Sequence, residues 1–361
     1  MDKVIHFLSR DKFTTGYINF MHQAFPQYEH IFYTTKVEKI NHKMLLVTPA
    51  CMDNLFFIRD AHDILDDPKH LYILKEAKLI IISGLFSWQY LLFHMPNWFT
   101  DKTLIQFWGG DIYGYRSYRP RVLYHRIKTA IFVHRCKGVI PLIADDYPYI
   151  EKIFWTKKPY WIADMPDDPL RYKPDYKSFW QKHKDSAITI QVGNSAAPEN
   201  CHIEVFDLLK KVLPKGLNVR ILSPLSYGNN NYRDKIIHYG KQLFGDKFEP
   251  VTEYMSYQEY VDMLGRNDMA IFNNNRQQAT INIRLCLAMG VSVLLRRGTS
   301  MWDDFTQSGF YFHDVHDLAN SDIQKLLSVP DIKKELNLSI VEAIDKKIYT
   351  DWQNIYDTAM K

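Results

Sequence analysis

The sequence predicts an α/β protein: two Rossmann-like, doubly wound parallel-sheet domains facing a cleft, with a C-terminal helix. Three observations carry this. Short, continuously apolar runs alternate with longer amphipathic stretches as far as Leu142, and the alternation resumes from Ala187. That pattern belongs to parallel strands covered on both faces by helices. A stretch rich in proline and charge, with no clean period, separates the two series. Finally, 361 residues exceed one ordinary domain, and 46% hydrophobic against 24% charged residues can fill two cores.

Taken in order, VIHFL (4–8), IFYTT (31–35), MLLVT (44–48), LIII (79–82), TLIQFW (103–108) and GVIPL (138–142) read as strands, with helical patterns at Tyr17–Ala24 and Tyr118–Val133. These form the first domain, residues 1–160. Residues 161–185 read as the linker. The second domain, 186–343, opens with the strand AITIQV (187–192), then alternates a helix at Cys201–Val212, a strand LNVRIL (217–222), a helix at Tyr232–Phe244 and a strand at Phe248–Val251. A helix at Tyr257–Gly265, the strand MAIF (269–272), a helix at Thr280–Met289 and the strand VSVLL (291–295) follow. The tail, 344–361, reads as a helix with Ile348, Trp352, Ile355 and Tyr356 on one face, expected to pack back on the first domain.

Composition excludes several classes. Lys and Arg total 45 against 41 Asp and Glu, a net charge of +4, weak for a dedicated nucleic-acid binder. Cys51, Cys136, Cys201 and Cys286 are far apart, with neither zinc-ligand spacing nor a disulfide framework. The first dozen residues lack a signal-peptide apolar run, which makes the cytoplasm the expected compartment. Leu79–Thr100 carries no Asp, Glu, Lys or Arg, yet its Ser83-Gly84, His94, Pro96 and Asn97 read as strand, turn and short helix, not as a membrane span.

In open α/β sheets ligands bind beyond the carboxyl ends of the strands. After the strand ending at Val192, Gly193 permits a tight turn, and Asn194 and Ser195 stand beside a helix start, where free N–H groups attract a phosphate and where an ordinary N-cap would look the same. In the next such loop Tyr227 could stack on a base or sugar, although Asn/Gly-rich loops are usually plain turns. After MAIF, Arg276 precedes a helix that begins with Gln277, Gln278 and Thr280. A fixed cation beside a helix N-terminus suits a diphosphate. In the first domain, Trp108-Gly109-Gly110-Asp111 ends a strand. Asp111 would serve as a general base or bind a sugar hydroxyl, or would simply cap the next turn. From Ile112 to Ala144 there is no acidic residue; Tyr113, Arg116, Arg119 and Arg121 belong to this basic, tyrosine-interleaved stretch, which reads as a nucleic-acid patch, a solvated helix face or a patch for an anionic membrane surface, the last preferred to the merely solvated face.

These loops resemble those of glycosyltransferase family 56, the bacterial 4-acetamido-4,6-dideoxygalactose (Fuc4NAc) transferases. The matching stretches are FWGGDIY (107–113), ITIQVGNSAAPENCHIEVF (188–206), Pro224 with Tyr227 and Asn230, VTEYMSYQEYVDMLGRNDMAIF (251–272), RQQATINIRLCLAMGVSVLL (276–295) and Trp302-Asp303. They cover about two thirds of the chain. Ser83-Gly84 stands where the family has His-Gly, and Gly110 where it has Ala.

The resemblance implies a GT-B hexosyltransferase that moves a Fuc4NAc-like sugar from a nucleotide diphosphate, a TDP-sugar being favoured, to a polyprenyl-diphosphate-linked glycan. It implies no cofactor and no metal. The basic, tyrosine-rich segment points to a peripheral place on the cytoplasmic face of the bacterial inner membrane, and the small net charge with no nucleic-acid motif argues against a nucleic-acid partner. Gly193, Asn194, Ser195, Arg276, Gln277, Gln278 and Thr280 would then hold the donor, with Tyr227 and Glu253 on nucleoside or sugar, and Asp111 facing the acceptor. The rival readings are a transferase for another sugar of capsule or O-antigen synthesis, a non-catalytic glycan- or lipid-binding partner of the same fold, and a basic nucleic-acid-associated protein using the 112–144 stretch.

Overall fold

The computed structural model describes residues 1–9, 13–35, 52–59, 62–85, 88, 94–117, 119–166, 168–181 and 187–361. The chain forms two compact units, Met1–Arg171 with Asp345–Lys361, and Tyr172–Ile344.

The first unit is built on six parallel strands: β1 (Lys3–Leu8), β2 (Glu29–Thr35), β3 (Leu55–Ile58), β4 (Leu79–Ser83), β5 (Thr103–Phe107) and β6 (Gly138–Pro141), in the order β3-β2-β1-β4-β5-β6. Side chains alternate across it. Ile5, Phe7, Ile80 and Ile82 enter one core layer; Val4, Leu8, Leu79 and Ile81 enter the other. Burial on both faces is why these strands read as unbroken apolar runs. Leu55–Ile58 was not expected as a strand, and the expected strand at 44–48 lies outside the described residues.

The second unit repeats the plan with β7 (Ile188–Val192), β8 (Val219–Pro224), β9 (Phe248–Val251), β10 (Met269–Phe272), β11 (Ser292–Leu295) and a two-residue β12 (His313–Asp314), ordered β12-β11-β10-β7-β8-β9, all parallel. The fold class is therefore the expected one, and both sheets follow the doubly wound order, in which the direction of winding reverses beside the first strand. Here Ile190, Val192, Met269 and Ile271 form one layer, Ala270, Phe272, Val293 and Leu295 the other.

Three details add to the sequence reading. Within the expected linker, Ala163 and Met165 lie in the first core and Phe179 and Trp180 pack against the second. The last helix starts at Asp331, not at Ile344, directly after Pro330, and runs 29 residues because no Gly or Pro interrupts it. Its residues to Ile344 belong to the second unit, whereas Ile348, Trp352, Ile355, Tyr356 and Ala359 are core of the first. The stretch once open to a membrane reading holds β4 and a single helical turn, Asn97–Thr100, and among the described residues no helix is long and apolar enough to cross a membrane.

Candidate functional site

In the second unit the winding reverses between β7 and β10, so the loops leaving those strands, with the loop after β8, surround the switch point. Gly193 leaves β7 with φ +70°. A Cβ there would stand 2.5 Å from His202 Nε2 and 2.8 Å from Asn200 Oδ1, so only glycine lets the loop turn so tightly. The loop is then pinned from within: Asn194 N–H donates to Asn200 Oδ1 (2.8 Å), and Asn200 Nδ2 donates to Ser195 Oγ (3.3 Å) and the Ala197 carbonyl (3.2 Å).

Three strand ends are tied together here. Asn194 Nδ2 donates to the Tyr227 hydroxyl (3.0 Å), linking the loops after β7 and β8. Ala196 and Gly228 add a parallel bridge between the same loops. Gln278 Nε2 donates to Ser195 Oγ (3.0 Å), joining the loop after β10. Gln277 Nε2 reaches Thr280 Oγ1 (2.9 Å). The helix Thr280–Ala288 has no side-chain cap, and Ala279 ahead of it is left-handed at φ 63°, so its first-turn N–H groups have no capping side chain. Arg276 is fixed beside them by donating from Nη1 to the Gln277 carbonyl (3.0 Å), with Nε 3.8 Å from Glu199. A half-buried cation and the positive end of a helix dipole thus lie side by side in these loops.

Several amide oxygens in these loops, Asn194 Oδ1, Asn274 Oδ1, Gln277 Oε1 and Gln278 Oε1, are buried without a hydrogen-bond partner. Each such atom costs about 1–3 kcal/mol unless something donates to it. Glu253 is exposed two residues beyond β9, outside this network. Asn200 and His202 carry the loop but were not singled out from sequence. His202 shares a hydrogen bond with the Tyr232 hydroxyl (3.3 Å), and burial drives its pKa down to about 3, so the ring is neutral. Their only sequence signal is position just before and within the first turn of a helix.

In the first unit, Gly109 (φ +84°) turns the chain out of β5 into the short helix Gly110–Tyr113. Asp111 is buried there. One carboxylate oxygen accepts from Trp108 N–H (2.8 Å) and the other from Leu85 N–H (3.2 Å), so it binds the loop after β5 to the loop after β4. Desolvation raises its pKa to about 7, against those amides, which favour the charged form. Trp108 Nε1 donates to Ser83 Oγ (2.9 Å), and Ser83 Oγ to Gln106 Oε1 (2.6 Å). The Tyr113 hydroxyl donates to Asp146 (2.5 Å), and the Arg116 guanidinium lies over the rings of Tyr113 (4.2 Å) and Tyr149 (4.7 Å). Arg119 and Arg121 are exposed where the helix Pro120–Arg135 begins. Tyr118 lies outside the described residues.

The family model for the 4-alpha-L-fucosyltransferases, glycosyl transferase group 56, matches residues 76–345. Among solved structures, a glycosyltransferase from Rickettsia africae ESF-5 is similar with a TM-score of 0.66 at 12% identity, covering 100% of this chain and 99% of its own. Sucrose-phosphate synthase from Thermosynechococcus elongatus gives 0.71 at 12% identity, covering 99% and 98%. The E. coli trehalose-6-phosphate protein bound with UDP-2-fluoro glucose gives 0.65 at 9% identity, covering 99% of each. At such identities the likeness is one of fold, and that fold is GT-B.

Proposed function

The chain belongs to glycosyltransferase group 56 and is a GT-B hexosyltransferase, and on that premise we propose that it transfers a Fuc4NAc-like deoxy-amino hexose from a nucleotide diphosphate to a polyprenyl-diphosphate-linked glycan. A TDP-sugar is the first candidate donor; UDP is the second, because a neighbour of the same fold carries UDP-2-fluoro glucose. The observation that carries the reading is the joining of Asn194, Ser195, Tyr227 and Gln278 at the switch point beside Arg276 and an uncapped helix N-terminus.

In this reading the bond between the sugar's anomeric carbon and the β-phosphate oxygen breaks. The anomeric carbon then bonds to an acceptor hydroxyl oxygen. The leaving diphosphate gains charge in the transition state. Arg276 and the N–H groups from Thr280 onward offset it without a metal ion. Gly193 lets the backbone approach the diphosphate, and the partnerless amide oxygens of Asn194, Gln277 and Gln278 accept from sugar hydroxyls or an acylamino N–H. Tyr227 and Glu253 would contact nucleoside or sugar. Asp111, with pKa about 7, orients the acceptor hydroxyl or takes its proton. Trp108, Gly109, Gly110, Tyr113, Arg116, Arg119 and Arg121 form the acceptor and membrane side, with the enzyme held peripherally on the cytoplasmic face of the inner membrane.

Metal-free calorimetric titration with dTDP, UDP, GDP and CMP tests the donor site. Binding of one nucleotide is expected, weakened about tenfold or more in Arg276→Ala at unchanged melting temperature. Failure of all four to bind, or an Arg276→Ala variant with unchanged affinity and transfer, overturns the assignment.

A further inference from the structure

The helix Pro120–Arg135 is apolar on two opposite faces. Thr129, Ala130, Phe132 and Val133 turn inward to the sheet. Leu123 is nevertheless 37% exposed, Tyr124 54%, Ile127 46% and Ile131 53%. At about 100° per residue these four fall within about 100° of arc on the outward side. Beside the helix, Trp155 is 55% exposed, held left-handed (φ 51°) at the end of the helix Tyr147–Phe154. Arg126 connects the two: it donates to the Ile153 carbonyl (2.6 Å) and stacks over the Trp155 ring at 4.3 Å.

Large apolar side chains scattered singly on a surface need no explanation, but a contiguous ridge does. Its surroundings indicate what covers it. Arg121 and Lys128 lie along one edge, Arg119 and Arg126 along the other, and Lys128 Nζ sits 4.4 Å over the Tyr124 ring. No Asp or Glu occurs between Ile112 and Ala144. The nearest acidic side chain on the adjoining helix is Glu151. An apolar ridge edged by cations on both sides, with a Trp and a Tyr at its margin, matches the layering of a bilayer surface, where acyl chains lie under anionic headgroups and aromatic rings sit between.

We propose that Leu123, Tyr124, Ile127 and Ile131, with Trp155, insert into the headgroup–acyl boundary of an anionic membrane, the flanking Arg and Lys binding lipid phosphates. This gives the peripheral location in the functional reading a defined insertion face, and it rests on that reading only for the identity of the membrane. A charge patch alone would hold the protein near the surface at low salt; an inserted ridge also resists salt and fixes which side of the first unit faces the lipid.

The test is co-sedimentation of the full chain with vesicles of two parts phosphatidylcholine to one part phosphatidylglycerol, at low salt and at about 1 M salt, where the Debye length is about 3 Å. Wild-type protein is expected to keep part of its binding at high salt. Ile127→Gln with Ile131→Gln, both at exposed positions, should lose about tenfold or more of its binding at either salt while keeping nucleotide affinity and melting temperature. Arg119→Glu with Arg121→Glu should lose binding chiefly at low salt. Wild-type-like binding by the double Gln variant overturns the proposal, as does failure of the native chain to bind vesicles. So does a native dimer that the Gln pair turns into monomer, since a second copy would then be the occupant. The nucleotide titration reads the transferase assignment separately, so either can fail without the other.

Discussion

Replacing Gly193 by Ala tests whether the turn after β7 is the keystone of the site. Two costs add. An L-residue in the left-handed region loses about 1–2 kcal/mol. The new methyl would also stand 2.5 Å from His202 Nε2 and 2.8 Å from Asn200 Oδ1, so one of them must move. Moving Asn200 breaks its bond from Asn194 N–H, worth about 0.5–1.5 kcal/mol. The sum is about 1.5–3.5 kcal/mol. For a unit of this size that lowers the melting temperature by about 5–10 °C. Gly216→Ala is the control: φ is +86°, but nothing lies within 4 Å of its Cβ, so only the conformational cost applies. Differential scanning calorimetry of both variants, with nucleotide titration of each, gives the comparison. Gly193→Ala should melt several degrees below Gly216→Ala and bind nucleotide at least about tenfold more weakly. Equal melting temperatures, with wild-type nucleotide affinity in both, would refute the argument that close packing at Gly193 shapes the site.

Other consequences are equally direct. His30, lowered to about 4, and His202, lowered to about 3, are neutral in the folded chain; unfolded, they take up protons below about 6.5. Their stabilisation is complete above pH 6.5 and is lost on acidification, each costing about 1.4 kcal/mol per pH unit until its folded pKa is reached. Denaturation curves of His202→Gln between pH 6.5 and 4 should show a shallower slope than wild type; an identical slope would count against it. Asp111 has the opposite sense: its folded pKa of about 7 lies above the unfolded value, so its contribution falls as pH rises from 4 to 7. Asp111→Asn should remove that pH dependence while losing one backbone hydrogen bond, and pH-resolved melting would detect both. Trp352 is fully buried and donates to the Asp164 carbonyl at 3.2 Å, so Trp352→Ala should cost the first unit about 3–5 kcal/mol, read by chemical denaturation.

Much of the candidate site was legible because it lies in loops that the alternation locates. Asn194, Ser195, Tyr227 and Gln278, named from position after strands, turn out to be hydrogen-bonded to one another. Asn200 and His202 were not legible as organisers: a polar residue before a helix looks the same whether it caps a turn or holds a neighbouring loop. Asp111 left two meanings open, an acid facing the acceptor or a cap on the next turn; its bonds from the Trp108 and Leu85 amides, both outside the helix Gly110–Tyr113, tie two loops together, a role not legible from sequence. The stretch 112–144 read as basic and tyrosine-rich, but its apolar ridge did not stand out, because a helix with apolar residues on two faces does not reveal which face its sheet will cover.

The sequence by itself determined the two sheets and their class. Strands buried on both faces are apolar at most positions, so VIHFL, LIII, AITIQV and MAIF declare themselves locally. It did not determine β3, the two-residue β12, or the start of the last helix at Asp331, since short or charge-rich elements owe their form to neighbours distant in the chain. Only the tertiary structure decided which polar side chains meet at the switch point, which carboxylate is buried and titrates near neutrality, and which apolar residues are left facing outward. Those properties depend on distance and desolvation in three dimensions, and neither quantity is written in any single stretch of residues.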